Sequence, residues 1–177
     1  MNFFLIILLI IAGIAALLMI LALFIKKEHY VKREIIINAP RQEIFDYVKL
    51  LKNQDTFNNR AMTDSERVKE YKGTDGEVGF VYSWKGNKDA GEGEKEIMNL
   101  VEGKRVEAEI RFVKPMKTSA YIIMELESVT DDQTKVTWSN AGTLHYPFNL
   151  LVPMMEKMVP KDMDKSLLSL KNILENK

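Results

Sequence analysis

The sequence has no cysteine, only two histidines and no excess of either charge: 25 Lys+Arg stand against 25 Asp+Glu in 177 residues. Each shortage excludes something. Without cysteine there are no disulfides, thiolate metal sites or thiol nucleophiles. Without a basic excess the main sequence argument for nucleic-acid binding is gone, and no nucleic-acid partner is expected. His29 and His145 stand alone and no His-Glu-x-x-His spacing occurs, so no metal is expected. Phosphate-cradling loops are lacking too. Gly73-x-x-Gly76-x-x-Gly79 and Gly91-x-Gly93 carry Asp75, Glu77, Glu92 and Glu94, which repel phosphate, and no helix start follows them. No cofactor is expected, and the residue types give catalysis little support.

What is present is one long apolar run. Phe3–Ile25 spans 23 residues without a charge, and Gly13 is its only member outside the hydrophobic set. As a helix it is about 34 Å long, enough to cross a hydrocarbon layer of about 30 Å. Soluble core helices seldom stay apolar all round for that length. A cleaved signal peptide starts basic, has a shorter apolar core and ends in small residues. This run starts without a side-chain cation and ends Leu23-Phe24-Ile25 before Lys26-Lys27. The expectation is an uncleaved, single-pass membrane anchor over residues 1–27. Lys26, Lys27, Lys32 and Arg33 follow the span and none precedes it, so the positive-inside rule places residues 28–177 in the cytoplasm. Lys26 to Tyr30 reads as the spacer, which leaves His29 solvated and the domain close to the bilayer.

Residues 28–177 carry 23 Lys+Arg against 25 Asp+Glu and suffice for one hydrophobic core. Residues 30–38, with Ile35-Ile36-Ile37, read as a strand. Ala39-Pro40 opens a helix with Ile44, Phe45, Val48 and Leu51 on one face. Residues 53–59 hold a short helical turn, and 65–71 a weak strand. Residues 78–84 place Val78, Phe80, Tyr82 and Trp84 on one face, and 85–89 turn the chain back into a strand over 91–100. In 105–112, Val106, Ala108, Ile110 and Phe112 alternate with Arg105, Glu107, Glu109 and Arg111, so one face is dry and one wet. Residues 118–128 and 134–142 complete an antiparallel meander. Glu92, Glu94 and Glu96 share one strand face and are expected to be solvated beside Lys and Arg of neighbouring strands. Pro147, Pro153 and Pro160 are expected to break residues 146–161 into short pieces. Met163, Leu167, Leu170 and Leu174 then form the stripe of a closing helix.

Five segments carry a resemblance: residues 36–45 (Ile-Ile-Asn-Ala-Pro-Arg-Gln-Glu-Ile-Phe), 82–86 (Tyr-Ser-Trp-Lys-Gly), 91–97 (Gly-Glu-Gly-Glu-Lys-Glu-Ile), 134–138 (Thr-Lys-Val-Thr-Trp) and 167–171 (Leu-Leu-Ser-Leu-Lys). In this order they resemble the SRPBCC superfamily, the START and birch-pollen-allergen-like helix-grip fold, and within it the polyketide cyclase/dehydrase-like group. The resemblance covers about residues 28–177. It implies an α+β helix-grip fold, a curved antiparallel sheet wrapped around a long C-terminal helix, here preceded by a single transmembrane helix. It also implies an apolar cavity, since members bind lipids, hormones and polyketides, and some are enzymes.

The expected function is membrane-tethered binding of a hydrophobic small molecule or lipid. A protein-interaction module with a filled cavity, and a cyclase-like enzyme on an apolar substrate, stay open as alternatives. The candidate cavity residues are Phe80, Tyr82, Trp84, Ile110, Phe112, Met124 and Trp138 on the strands. Met155, Met158 and Met163 would close the opposite side, Met being adaptable to varied apolar shapes. Tyr82 and the indoles of Trp84 and Trp138 would supply polar handles. No protein partner can be read from the sequence.

Overall fold

A computed structural model of the chain describes residues 2–64, 66–87 and 90–176. Ser65 of the expected weak strand, and Lys88 and Asp89 of the expected turn, lie outside the described residues. The chain runs α1 (Phe3–Phe24), β1 (Glu28–Ile37), α2 (Arg41–Val48), α3 (Leu51–Phe57), β2 (Val68–Lys72), β3 (Val81–Lys85), β4 (Glu92–Val101), β5 (Arg105–Lys114), β6 (Thr118–Thr130), β7 (Gln133–Thr143) and α4 (Val152–Glu175). Single 3-10 turns at Ala61–Thr63 and Phe148–Leu151 precede β2 and α4.

The seven strands form one antiparallel sheet in the order β1-β7-β6-β5-β4-β3-β2. Every neighbour is a sequence neighbour except β1, which pairs with β7 and so brings the two ends of the domain together. The wet face of the central strands is held by charge. Arg111 reaches Glu94, Glu96 and Glu109 at 2.7, 2.5 and 2.6 Å, so the glutamate row read from the sequence is a solvated ion-pair face.

The dry face carries the core. Ile37, Val106, Met124, Val136 and Trp138 meet Ile44, Phe45 and Val48 of α2, Phe57 of α3, and Met163, Leu167, Leu170 and Leu174 of α4. A second, smaller cluster joins Leu51 to Phe80, Tyr82, Trp84 and Ile97 at the β2–β4 end. The long helix α4 therefore lies over the β1 side of the sheet, and the short helix α3 bridges to the other side. Thr134 Oγ1 donates to Ala39 O at 2.9 Å, and the Asn38 amide donates to Glu175 at 2.6 Å, fastening α2 and the end of α4 to the sheet.

Several expectations about local structure fail: β3 starts only at Val81 and leaves Val78 60% exposed, and Leu51 opens α3 rather than extending α2. The prolines do not fragment the C-terminal segment: α4 runs unbroken for 24 residues with Pro160 inside it. Pro153 sits in the first turn, where a missing N–H costs nothing. Pro160 removes one backbone bond, but its ring is buried, and the helix is held by the stripe from Met163 onward. His29 is not solvated. The strand β1 starts at Glu28, so alternation turns His29 inward, where it is 3% exposed and its Nε2 lies 3.0 Å from Asn140 Oδ1.

The helix α1 is long and apolar enough to cross a membrane, with a mean hydropathy of 3.3, and Ala22 is its one buried residue. Its last turn is nevertheless tied to the domain. The buried Asn149 donates through Nδ2 to Ala22 O at 2.6 Å and Ile25 O at 2.7 Å. Ala22 O is one of the last-turn carbonyls that a helix leaves without an internal partner, and Ile25 lies just past the helix end. Lys26 pairs with Glu156 at 2.5 Å, and the Leu144 amide donates to Lys27 O at 2.8 Å. The spacer is thus a clasp of residues 25–27 rather than a free linker.

Candidate functional site

Antiparallel register decides which side chains share a row. Tyr71, Tyr82, Lys95, Ile110 and Ala120 lie opposite one another on β2 to β6, and the next row aligns Trp84, Gly93, Phe112 and Thr118. Tyr82, Lys95 and Ile110 of the first row and Trp84 and Phe112 of the second line a cavity of about 150 Å³ beneath α3, which contributes Leu51, Gln54 and Asp55 from above. The exposed residues Arg60, Lys114 and Pro115 mark its open side.

One wall is aromatic. Trp84 stands edge-on to Phe112 with centroids 5.8 Å apart, and tilts against Tyr82 at 5.9 Å. The Trp84 ring can lie there because its partner across the strands is Gly93. A Cβ on that glycine would come within 2.9 Å of the indole and 2.6 Å of Arg111 O. The Trp84 indole donates to Ala90 O at 3.0 Å, so its polar atom is already engaged by the backbone just before β4.

The other wall is ionic. Asp55 accepts from Arg67 Nη2 at 2.5 Å, Lys69 Nζ at 2.9 Å and the Tyr82 hydroxyl at 2.9 Å. Lys95, from the inward face of β4, is 6% exposed and donates to Gln54 Oε1 at 2.6 Å. The amide of Gln54 is oriented by a second bond from its Nε2 to Val48 O at 2.9 Å. Burial pushes the Lys95 ammonium down to about 8, against the pull of Asp55, while Arg67 pushes the same way as burial. Burial, and then the negative charge of Asp55, push the Tyr82 hydroxyl well above its ordinary value.

Of the residues expected at the cavity, Tyr82, Trp84, Ile110 and Phe112 line it. Phe80 is buried in the same small apolar cluster. Met124, Trp138 and Met163 belong to the main core under α4 and do not reach the cavity. The Trp138 indole nitrogen is buried without a hydrogen-bond partner among the described residues, in the main core and away from this cavity. Met155 is half-buried and Met158 is 40% exposed, because the first turns of α4 extend toward α1, before its apolar stripe begins. Lys95, Gln54, Asp55 and Arg67 were missed. The available signal was parity: Lys95 shares its strand face with Gly93 and Ile97, opposite the glutamates.

A second concavity, an open groove of about 1280 Å³, lies at the end of the sheet nearest α1. Lys26, His29, Tyr30, Tyr121, His145 and Phe148 are among its walls. Tyr30, Tyr121, His145 and Phe148 are exposed, while His29 and Leu144 in the same walls are buried.

Solved structures share the fold at low identity. Norcoclaurine synthase from Thalictrum flavum, a point mutant bound to a transition-state analogue, aligns with TM-score 0.66 and 10% identity over 85% of this chain and 96% of that one. Ara h 8.0201 aligns with TM-score 0.64 and 14% identity over 85% and 99%. The Aha1 dimer from Colwellia psychrerythraea aligns with TM-score 0.56 and 20% identity over 83% and 96%. No curated protein matches the chain. Residues 28–175, which hold the whole sheet, the cavity and α4, match the family described as polyketide cyclase / dehydrase and lipid transport, and the chain belongs to that family.

Proposed function

We propose that the protein is a membrane-tethered binder of a small hydrophobic molecule, held in the cavity under α3. The observation that carries this reading is the pairing of an apolar, largely aromatic wall (Trp84, Ile110, Phe112) with a few fixed polar groups, which is how small-molecule sites are built. The family's description, with its reference to lipid transport, supports a hydrophobic guest. The tether rests on α1, and the cytoplasmic side on the cations after it. With the filled-cavity alternative in mind, about 150 Å³ is room for a guest core on the order of a benzene ring, with further atoms reaching toward the open side. Lys95 favours one second reading, a reaction on the bound guest. An amine brought down to about 8 is partly neutral near pH 7 and can serve as base or nucleophile.

Calorimetric titration of the detergent-extracted protein with benzyl alcohol, hexanoate and phenylacetate tests the binding. Saturable one-to-one heat is expected for at least one probe. Ile110→Trp, which fills the cavity from β5, should abolish it without changing the circular dichroism. No saturable heat with any probe sinks the proposal. Probe recovered unchanged by mass spectrometry supports binding alone, and chemically altered probe supports the second reading. The tether has its own check. Protease added to intact cells should leave residues 28–177 whole, and digestion from outside would overturn the cytoplasmic placement.

A further inference from the structure

The ionic wall of the cavity is unbalanced. One carboxylate, Asp55, faces Arg67 and Lys69 directly, and the ammonium of Lys95 lies close enough to feel it. The cations on the open side have their own partners, Arg60 with Asp162 and Lys114 with Glu92, so the surplus sits deep in the cavity. Two observations locate it. The Arg67 side chain is 6% exposed, and its Nε is buried with no hydrogen-bond partner among the described residues. Lys95 has three N–H donors, and among the described residues its one hydrogen-bond acceptor is the neutral Gln54 amide. Burying a cation without a counter-charge is costly, and the cost falls when an anion is brought to it.

Resting on the reading of this cavity as the ligand site, we propose that the guest is a small amphipathic carboxylate whose head is received by Lys95 and Arg67 and whose apolar part lies against Trp84, Ile110 and Phe112. A carboxylate offers two oxygens and about four lone pairs to donors that are fixed in place, and hydrogen bonds between ionised partners are the strong ones. Asp55 sets the limit of this recognition. It neutralises enough charge for the empty pocket to fold, and it disfavours a dianion such as a phosphate monoester. The cavity size excludes a long acyl chain from lying wholly inside.

The test uses the full chain in neutral detergent, with phenylacetate and hexanoate set against their neutral isosteres phenylacetamide and hexanamide. At pH 7 each acid should bind at least tenfold more tightly than its amide. Lys95→Met should lower that preference, leaving only the part that Arg67 supplies. Since that variant could fold differently, a second measurement uses the unchanged protein: acid affinity should fall between pH 7 and 10, and amide affinity should stay level. Equal binding of acid and amide, or acid binding indifferent to pH, overturns the carboxylate inference and leaves the hydrophobic cavity standing. Failure of both acids and both amides to bind overturns the cavity reading itself, and the inference with it.

Discussion

Replacing Asp55 by alanine should destabilise the domain by about 3–5 kcal/mol, the range for removing one partner of a buried ion pair. The carboxylate is 14% exposed and is the shared acceptor of Arg67, Lys69 and the Tyr82 hydroxyl. Its loss leaves Arg67, at 6% side-chain exposure, and the buried Lys95 facing each other without a negative charge between them. It also strips a largely buried hydroxyl of its acceptor. The measurement is urea unfolding followed by fluorescence of the two tryptophans. Asp55→Asn keeps an acceptor for Tyr82 but no charge, so it should fall between wild type and Asp55→Ala. Adding Arg67→Met to Asp55→Ala should recover part of the loss, because the stranded cation goes with it. An Asp55→Ala protein within 1 kcal/mol of wild type would mean that the cluster is solvated and the ionic wall is not closed.

Stability should rise, not fall, as the pH is taken from 8 to 10. Lys95 titrates at about 8 in the folded protein and at about 10.4 in an unfolded chain. Between those values the unfolded state binds the extra proton, and stability increases with pH wherever that is so. The gain is about 2–3 kcal/mol by pH 10, from about 1.4 kcal/mol per pH step over the gap. Tyr82 limits the window from above. Its hydroxyl is held above the ordinary value of about 10, so beyond that pH the unfolded chain releases a proton that the folded one keeps, and stability declines. Lys49 and Lys135, raised by hydrogen bonds to Asp46 and Glu127, act in the same high range and are solvent-screened. Lys95→Met should flatten the rise between pH 8 and 10. It should also be more stable than wild type at pH 7, less the cost of leaving Gln54 Oε1 without its donor. A wild-type curve that is level or falling between pH 8 and 10 would show that Lys95 is hydrated in the folded state.

Much of the architecture was legible in alternation. The strand Arg105–Lys114 puts Val106 and Ala108 in the core and Arg111 among glutamates, as a two-residue period requires. The stripe Met163, Leu167, Leu170, Leu174 seats α4 on the sheet for the same kind of reason, a 3.6-residue period. The glutamate row of β4 was legible as a solvated face because three like charges at spacing two exclude any dry environment. Pro160 was misread because its local penalty is real, but a few kcal/mol of propensity yield to the packing of a long helix. His29 was misread because two residues decide whether a strand has begun, and strand ends are set by the partner, here β7.

By itself, then, the sequence determined the apolar helix, the succession of strands and the helix that closes them, since each depends on a period carried within one segment. It also determined that Tyr82, Trp84, Ile110 and Phe112 share inward faces. Only the tertiary structure decided which inward residues become core and which become cavity. That choice depends on where α4 ends its coverage of the sheet and α3 takes over, a matter of long-range packing. The structure alone also gave Lys95 its meaning. A lysine at an inward position is an anomaly in one strand. It becomes a buried cation only when α3 lowers Gln54 onto it and sets Asp55 beside Arg67, residues separated from it by the whole span of β2 and β3. Charge pairing across that sequence distance has no local signature, because it is fixed by the register of the strands and not by any period within them.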